Sequence, residues 1–257
     1  MNGAQLRAAE QLRSTVSTLV FTPDRLAVVK GGPAVRRAYF DRALGRLAPA
    51  RATLPAEYGA ALAQRNAALR RISLGLSSAE ALVPWTEQVA ETGAALVDAR
   101  RETLRLLSPA FAERADELGL EGCAVVYEAD PPTVEMLEAR YTRDVDRGWT
   151  GVGPHLDEIG IVAGERDLRT FGSQGEQRLA VLSLLLAEAD LIDDRTGTPP
   201  LLLLDDVLSE LDPTRRRILA ARIGGRGQAL VTSTSAGALP TEPTQLLEVS
   251  SGSVIAR

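Results

Sequence analysis

Lysine is almost absent from this chain: Lys30 stands alone, and every other basic residue is an arginine. Its setting, VVKGGP, puts the glycines after the lysine. The phosphate-cradling pattern G-x-x-x-x-G-K-[ST] has the opposite order and occurs nowhere in the 257 residues. Cysteine is as scarce. A single Cys123 excludes an intramolecular disulfide and a cysteine-based metal site, and it suits a reducing compartment. No run of about 18 apolar residues exists, so no membrane span is expected. The opening MNGAQLRAAEQLR lacks the apolar centre of a secretory signal. A cytoplasmic protein without a membrane partner is therefore expected. The net charge of −5 argues against coating nucleic acid by overall charge, and leaves room only for a local basic patch.

What is present divides by pattern. Residues 1–32 read as a remnant of something larger: a short helix near Gln5–Arg13, then the apolar stretches STVSTLVF and DRLAVVK, closed by Pro23 and by Gly-Gly-Pro. These short strands either join a sheet formed near the other end of the chain or lack partners. Residues 33–120 read as a helical lobe. Tyr39, Phe40, Ala43, Leu44 and Leu47 recur at helical spacing, and long helices are expected over Ala56–Ile72 and Trp85–Leu107, the latter stopped by Ser108-Pro109. A further helical piece covers Ala110–Leu118. Residues 121–257 alternate. CAVVYEAD reads as a strand, TVEMLEARYTRDVDRG as one helix ending at Gly148, and WTGVGPHLDEIGIVAG as a strand with its hairpin. A helix after Gly175, strand PLLLLDD, helix PTRRRILAARI, strand QALVTSTS and a final hairpin follow. That alternation points to parallel α/β units.

Two stretches carry chemistry. In LLLLDD four leucines without polar alternation fit a strand buried on both faces, and carboxylates at the C-terminal end of such a strand sit where open α/β sheets bind ligands. Asp205 would hold Mg²⁺, which takes few carboxylates and keeps several waters. Asp206 would orient or deprotonate an attacking water. In FGSQGEQR, Ser173 and Gly175 stand at the start of an apolar helix, whose free N–H groups and positive dipole suit a phosphate. A plainer reading makes Ser173 an N-cap with Glu176 completing a capping box, and both readings hold at once. Ser209, Glu210 and Asp212 follow in SELD, Asp212 also serving as an N-cap before Pro213. His155, the only histidine, reads as a turn residue bonded to backbone.

Together FGSQGEQR and PPLLLLDDVLSELD look like the signature motif, Walker B strand and D-loop of an ABC-type ATPase. With FTPDRLAVVKGGPAVRRAYFD, GPHLDE and QALVTST in the same order, nearly the whole chain resembles the RecF family, ABC-type ATPases of bacterial DNA-gap repair related to SMC proteins. The resemblance implies an α/β ABC-type ATPase head with a helical lobe II insertion. It implies ATP and Mg²⁺ as ligands, with Ser173, Gln174, Gly175, Glu176, Ser209 and Asp212 on the nucleotide, Asp205 on the metal and Asp206 catalytic. Ser173 of one subunit would close over the nucleotide of the other in an ATP-dependent homodimer. DNA, RecO and RecR are the implied partners, and RecA loading, recombinational repair, replication and the SOS response the implied context. Such a head is normally preceded by a lobe carrying the P-loop, so the chain looks like a RecF without that lobe, inactive as an ATPase alone. GPHLDE also departs from the family's GPHRDD, with Leu156 in place of an arginine. Two other readings stay open: a non-catalytic lobe that binds DNA or a partner, and another SMC-like ATPase.

Overall fold

The computed structural model describes residues 17–209, 211–225 and 227–256. The expected helix at Gln5–Arg13 and the residue Glu210 lie outside them. Two compact units emerge. One contains residues 17–25 and 193–256 of the described chain, the other Leu26–Ile192.

The first unit is built on a parallel sheet. Strands β1 (Thr18–Phe21), β5 (Leu201–Leu204) and β6 (Ala229–Val231) lie in the order β1-β5-β6, with Thr18 opposite Leu201 and Leu202 opposite Ala229. The N-terminal strand thus finds its partner about 180 residues away in sequence, which settles the choice left open for STVSTLVF. β5 is central. Its burial alternates, with Leu202 and Leu204 buried and Leu201 and Leu203 half-buried, so one face of the strand is covered more completely than the other. After β5 the chain turns into α9 (Pro213–Gly224), and a hairpin of β7 (Leu247–Ser250) and β8 (Ser253–Ala256) ends the described chain.

The second unit is mainly helical. It comprises α1 (Ala27–Lys30), α2 (Pro33–Leu47), α3 (Leu54–Ser73), α4 (Val83–Glu117), α5 (Val134–Glu138), α6 (Tyr141–Arg147), α7 (Leu168–Phe171) and most of α8 (Gln174–Thr196). An antiparallel sheet β2-β3-β4 (Cys123–Tyr127, Ile159–Ala163, Arg166–Asp167) belongs to the same unit. Leu44, Tyr58, Ala61, Val89, Leu96 and Leu137 meet in its core.

Four expectations need correction here. DRLAVVK is not a strand: Pro23–Leu26 is a 3₁₀ turn leading into α1. Val28 and Val29 are both buried on this single helical turn. The second long helix does not stop at Ser108-Pro109. α4 runs 35 residues straight through Pro109. Leu104, Leu107, Phe111 and Ala115 all bury on one stripe across the proline, outweighing its interior cost of about 3 kcal/mol. The carbonyl deprived of a donor belongs to Arg105, which is exposed.

TVEMLEARYTRDVDRG forms two helices, α5 and α6, instead of one. Arg65 is completely buried at their junction, giving one N–H to the Leu137 carbonyl at 3.4 Å and another to Asp144 at 3.0 Å. A continuous helix would commit that carbonyl to residue 141. The end at Gly148 stands as expected, with φ +70 in the left-handed region. Finally, the strand expected from Trp149 begins only at Ile159. The residues before it form a loop pinned by side chains, among them Asn66, whose Oδ1 accepts both the backbone N–H and the hydroxyl of Thr150 at 2.7 Å.

Candidate functional site

Asp205 is the first residue beyond the C-terminal end of β5. Its backbone N–H continues the ladder to the Phe21 carbonyl at 2.9 Å, and one carboxylate oxygen, Oδ1, accepts the Thr232 hydroxyl at 2.6 Å. The same hydroxyl oxygen accepts the backbone N–H of Asp206 at 3.1 Å. Thr232 is held in turn by its own N–H, which donates to the Leu204 carbonyl at 2.9 Å. Asp206 is the one described non-glycine residue at positive φ, +48. An aspartate tolerates the left-handed region better than most residues but still at a cost. That conformation turns the chain sharply off the strand and leaves the Asp206 carboxylate without a hydrogen-bond partner among the described residues.

Val207 and Leu208 then bury and anchor the turn. The Ser209 hydroxyl donates to the Asp206 carbonyl at 3.1 Å. Asp212 caps α9, accepting the N–H groups of Thr214 at 2.9 Å and Arg215 at 3.0 Å. Those bonds, that to Arg215 first, hold its carboxyl below the usual range. Asp205, Asp206, Ser209 and Asp212 therefore form one connected turn system. Thr232, absent from the residue set read off the sequence, ties it to the neighbouring strand. Its signal was available: a hydroxyl immediately after an apolar strand, parallel to the one that ends in the acid pair.

Ser173 stands just before α8 in the other unit. Its Oγ accepts the Glu176 N–H at 3.2 Å, and its own N–H donates to Glu176 Oε2 at 2.7 Å, a complete reciprocal capping box. Arg166 pairs with Glu176 at 2.8 Å. That bond, followed by the one from Ser173, pulls the Glu176 carboxyl down to about 2. Because Oγ acts here as acceptor, the Ser173 hydroxyl proton stays available to a further acceptor. Phe171, Ser173, Gln174 and Gly175 are all exposed. The space over Gly175 is open, since a Cβ there would meet nothing closer than Ser173 Oγ at 3.9 Å.

The GPHLDE loop is held from several sides. Tyr58 OH lies 2.6 Å from His155 Nδ1, and His155 Nε2 lies 2.9 Å from the Thr150 carbonyl. A carbonyl only accepts, so Nε2 carries the proton and Nδ1 accepts from the tyrosine, a neutral imidazole with both nitrogens satisfied. Burial is the main cause that lowers the pKa of His155, and burial likewise raises that of Tyr58. The turn reading of His155 is what the structure displays. Arg100 clamps Asp41 with two bonds of 2.8 and 2.9 Å and donates to the Pro154 carbonyl at 2.8 Å. Leu156 in this loop is exposed.

Whether these residues fit a nucleotide and its cation turns on donor chemistry. Among the described residues no group of three or more His, Cys, Asp or Glu could hold a metal by itself. Mg²⁺ needs no such cage when phosphate oxygens and water complete its shell, and Asp205 keeps one carboxylate oxygen clear of Thr232. The acid pair fits that role. VVKGGP does not supply a phosphate loop: it closes α1, with Gly31 N–H on the Ala27 carbonyl at 2.8 Å and Arg36 on the Gly31 carbonyl at 2.7 Å.

A parallel sheet with an acid pair beyond its central strand, and a capped helix start bearing S-x-G-E, define an ABC-type ATPase head. The fold agrees with the Smc head domain of Pyrococcus furiosus solved with the C-terminal domain of ScpA (TM-score 0.50, 16% identity, 93% of this chain and 61% of that one). It agrees more closely with the recombination mediator protein RecF-ATP of the RecFOR pathway (TM-score 0.85, 26% identity, all of this chain and 71% of that one). No protein-family model matches. Among curated relatives, the DNA replication and repair protein RecF of Myxococcus xanthus is 35% identical over 278 residues, covering 100% of this chain and 73% of its own length. RecF of Geobacter sulfurreducens is 37% identical over 248 residues, covering 88% of this chain and 65% of its own. The chain belongs to the RecF family.

Proposed function

We propose that this chain is the signature- and Walker B-bearing part of a DNA-repair ATPase that dimerises on ATP. The observation that carries the reading is the acid pair at the C-terminal end of the central parallel strand, with Asp205 held by Thr232 and the Asp206 carboxylate unengaged among the described residues. ATP with Mg²⁺ supplies the phosphoanhydride and the electrophilic γ-phosphoryl group. Asp205 offers its uncommitted oxygen to the cation's shell, and Asp206 orients and accepts a proton from the attacking water. Ser209 and Asp212 shape the turn next to them. Ser173, Gln174, Gly175 and Glu176 form the surface that a second subunit's nucleotide meets. There the Ser173 hydroxyl and the first N–H groups of α8 stabilise phosphate charge.

On this reading residues 33–120 are the helical lobe and 121–257 the ATPase portion. The protein works in the cytoplasm on single-stranded or gapped DNA with RecO and RecR, supporting RecA loading, recombinational repair, replication and the SOS response. The relatives' names support the DNA-repair class.

The test uses a protein in which a P-loop lobe precedes this chain, followed by light scattering. Ser173→Arg should abolish ATP-dependent association while leaving ATP bound to each subunit, because a bulky cation blocks only the opposing subunit. Asp206→Asn should prolong the ATP-bound dimer by slowing hydrolysis. Two variants that associate and dissociate like the parent would remove the mechanism. A second reading, a non-catalytic DNA- or partner-binding lobe, fits the way VVKGGP closes α1 instead of cradling phosphate. It requires that residues 1–257 alone bind ATP weakly or not at all, and micromolar affinity in a titration would count against it.

A further inference from the structure

The charge of this acidic chain is unevenly spread. α3 ends in Arg70 and Arg71, both exposed, and no acidic residue lies between Glu57 and Glu80. α6 carries exposed Arg143 and Arg147, four residues apart and so on one face. Of its two acids only Asp146 is exposed, Asp144 being buried against Arg65. The two helices meet at the end of α6. Arg70 Nη1 donates to the Gly148 carbonyl at 3.4 Å, and its Cγ lies 2.9 Å from where a Cβ on Gly148 would stand. Glycine at φ +70 both makes the turn and leaves room for Arg70. Next comes Trp149, 40% exposed, with the Arg147 guanidinium 5.7 Å from its ring centroid. Among the described residues none of these four arginines forms a salt bridge.

Exposed arginines on helices ordinarily find an acid one turn away, as Arg101 and Arg105 do here with Asp98 and Glu102. Four that do not, carried by the two helices that meet beside a partly exposed indole, make an electropositive surface with a flat aromatic face. Guanidinium groups grip phosphate oxygens in a bidentate fork. An indole stacks on any base, and the two together are how single strands are held without regard to sequence. An acidic peptide would use the arginines but has no use for the indole.

We propose that Arg70, Arg71, Arg143, Arg147 and Trp149 form a binding surface for a single-stranded nucleic-acid segment, the arginines on phosphates and Trp149 on a base. The proposal deepens the DNA-repair reading and rests on it for the class of partner, but it needs nothing from Asp205 or Ser173.

The experiment is fluorescence anisotropy of a fluorescein-labelled deoxythymidine oligomer of about 15 nucleotides, a length of the order that one single-strand groove spans. It is titrated with residues 1–257, without ATP, at several salt concentrations. Arg70→Gln with Arg147→Gln should weaken binding and reduce the slope of log affinity against log salt by about 1.4, two phosphate contacts' worth. Trp149→Ala should weaken binding about five- to 160-fold with the salt slope unchanged, and Trp149→Phe should restore most of it. Trp149 is 40% exposed and Arg70 bonds to the Gly148 carbonyl, so circular dichroism of each variant is compared with that of the parent to separate lost binding from lost folding. Variants that bind like the parent would move DNA to another face and overturn the proposal while leaving the DNA-repair reading standing. A parent chain that does not bind the oligomer, or that releases it to polyglutamate at equal charge, would overturn it too. Failure of the Ser173 association experiment would remove the ATPase mechanism and leave these titrations unaffected.

Discussion

The Thr232 hydroxyl links two consecutive acids, donating to Asp205 Oδ1 at 2.6 Å while accepting the Asp206 N–H at 3.1 Å. One side chain from the strand beside β5 thereby sets the direction of Asp205 and supports the left-handed turn at Asp206. Thr232→Val should cost about 1 kcal/mol in urea unfolding, since both bonds are solvent-exposed, and Thr232→Ser much less. At Asp206 itself, Ala should be about 1 kcal/mol less stable than Gly, because only glycine adopts φ +48 freely.

The Ser173–Glu176 capping box predicts a stability effect separate from any nucleotide. Ser173→Ala should cost about 1 kcal/mol in thermal or urea unfolding. Glu176 is held down to about 2 from its ordinary 4.5 by Arg166 and Ser173, so its contribution is present above pH 4.5 and fades as pH falls towards 2. Arg166→Ala should move the Glu176 titration, read by carboxyl-carbon NMR shifts, back upward.

His155 titrates in the opposite chemical sense with the same pH direction. Burial disfavours its cation, so the folded pKa lies below 6.5 and the unfolded chain binds the proton first. Stability should decline as pH drops below about 6.5, and melting temperatures measured between about pH 5 and 7.5 should show a flatter profile in His155→Gln. Tyr58→Phe strips the donor from Nδ1 and should raise the His155 pKa.

Arg65 and Asp144 are fully buried partners 3.0 Å apart. Asp144→Ala should destabilise by about 3–5 kcal/mol, because it leaves a guanidinium uncompensated in the core. Replacing both, Arg65→Met with Asp144→Leu, should cost far less than the single change. Equilibrium urea unfolding of the three proteins decides this.

Much of this protein is local and so was readable in one dimension. The apolar run before Asp205-Asp206 is a strand, S-x-x-E before an apolar helix is a capping box, Asp212-Pro213 opens a helix and Gly148 ends one, each because short-range backbone chemistry dictates it. Family membership was legible for the same reason, in motifs a few residues long. Tertiary structure decided the rest. Burial of one stripe carried α4 through Pro109, which local propensity says should stop it. A segment with strand composition, Ala27–Lys30, became a helical turn with both valines buried. A single buried guanidinium divided the α5–α6 segment in two. Thr232 reaches the acid pair because β6 lies parallel to β5, which sets residues about 30 apart in sequence side by side. Periodicity and capping act over one or two turns of chain, whereas burial and pairing depend on what arrives from far away in sequence.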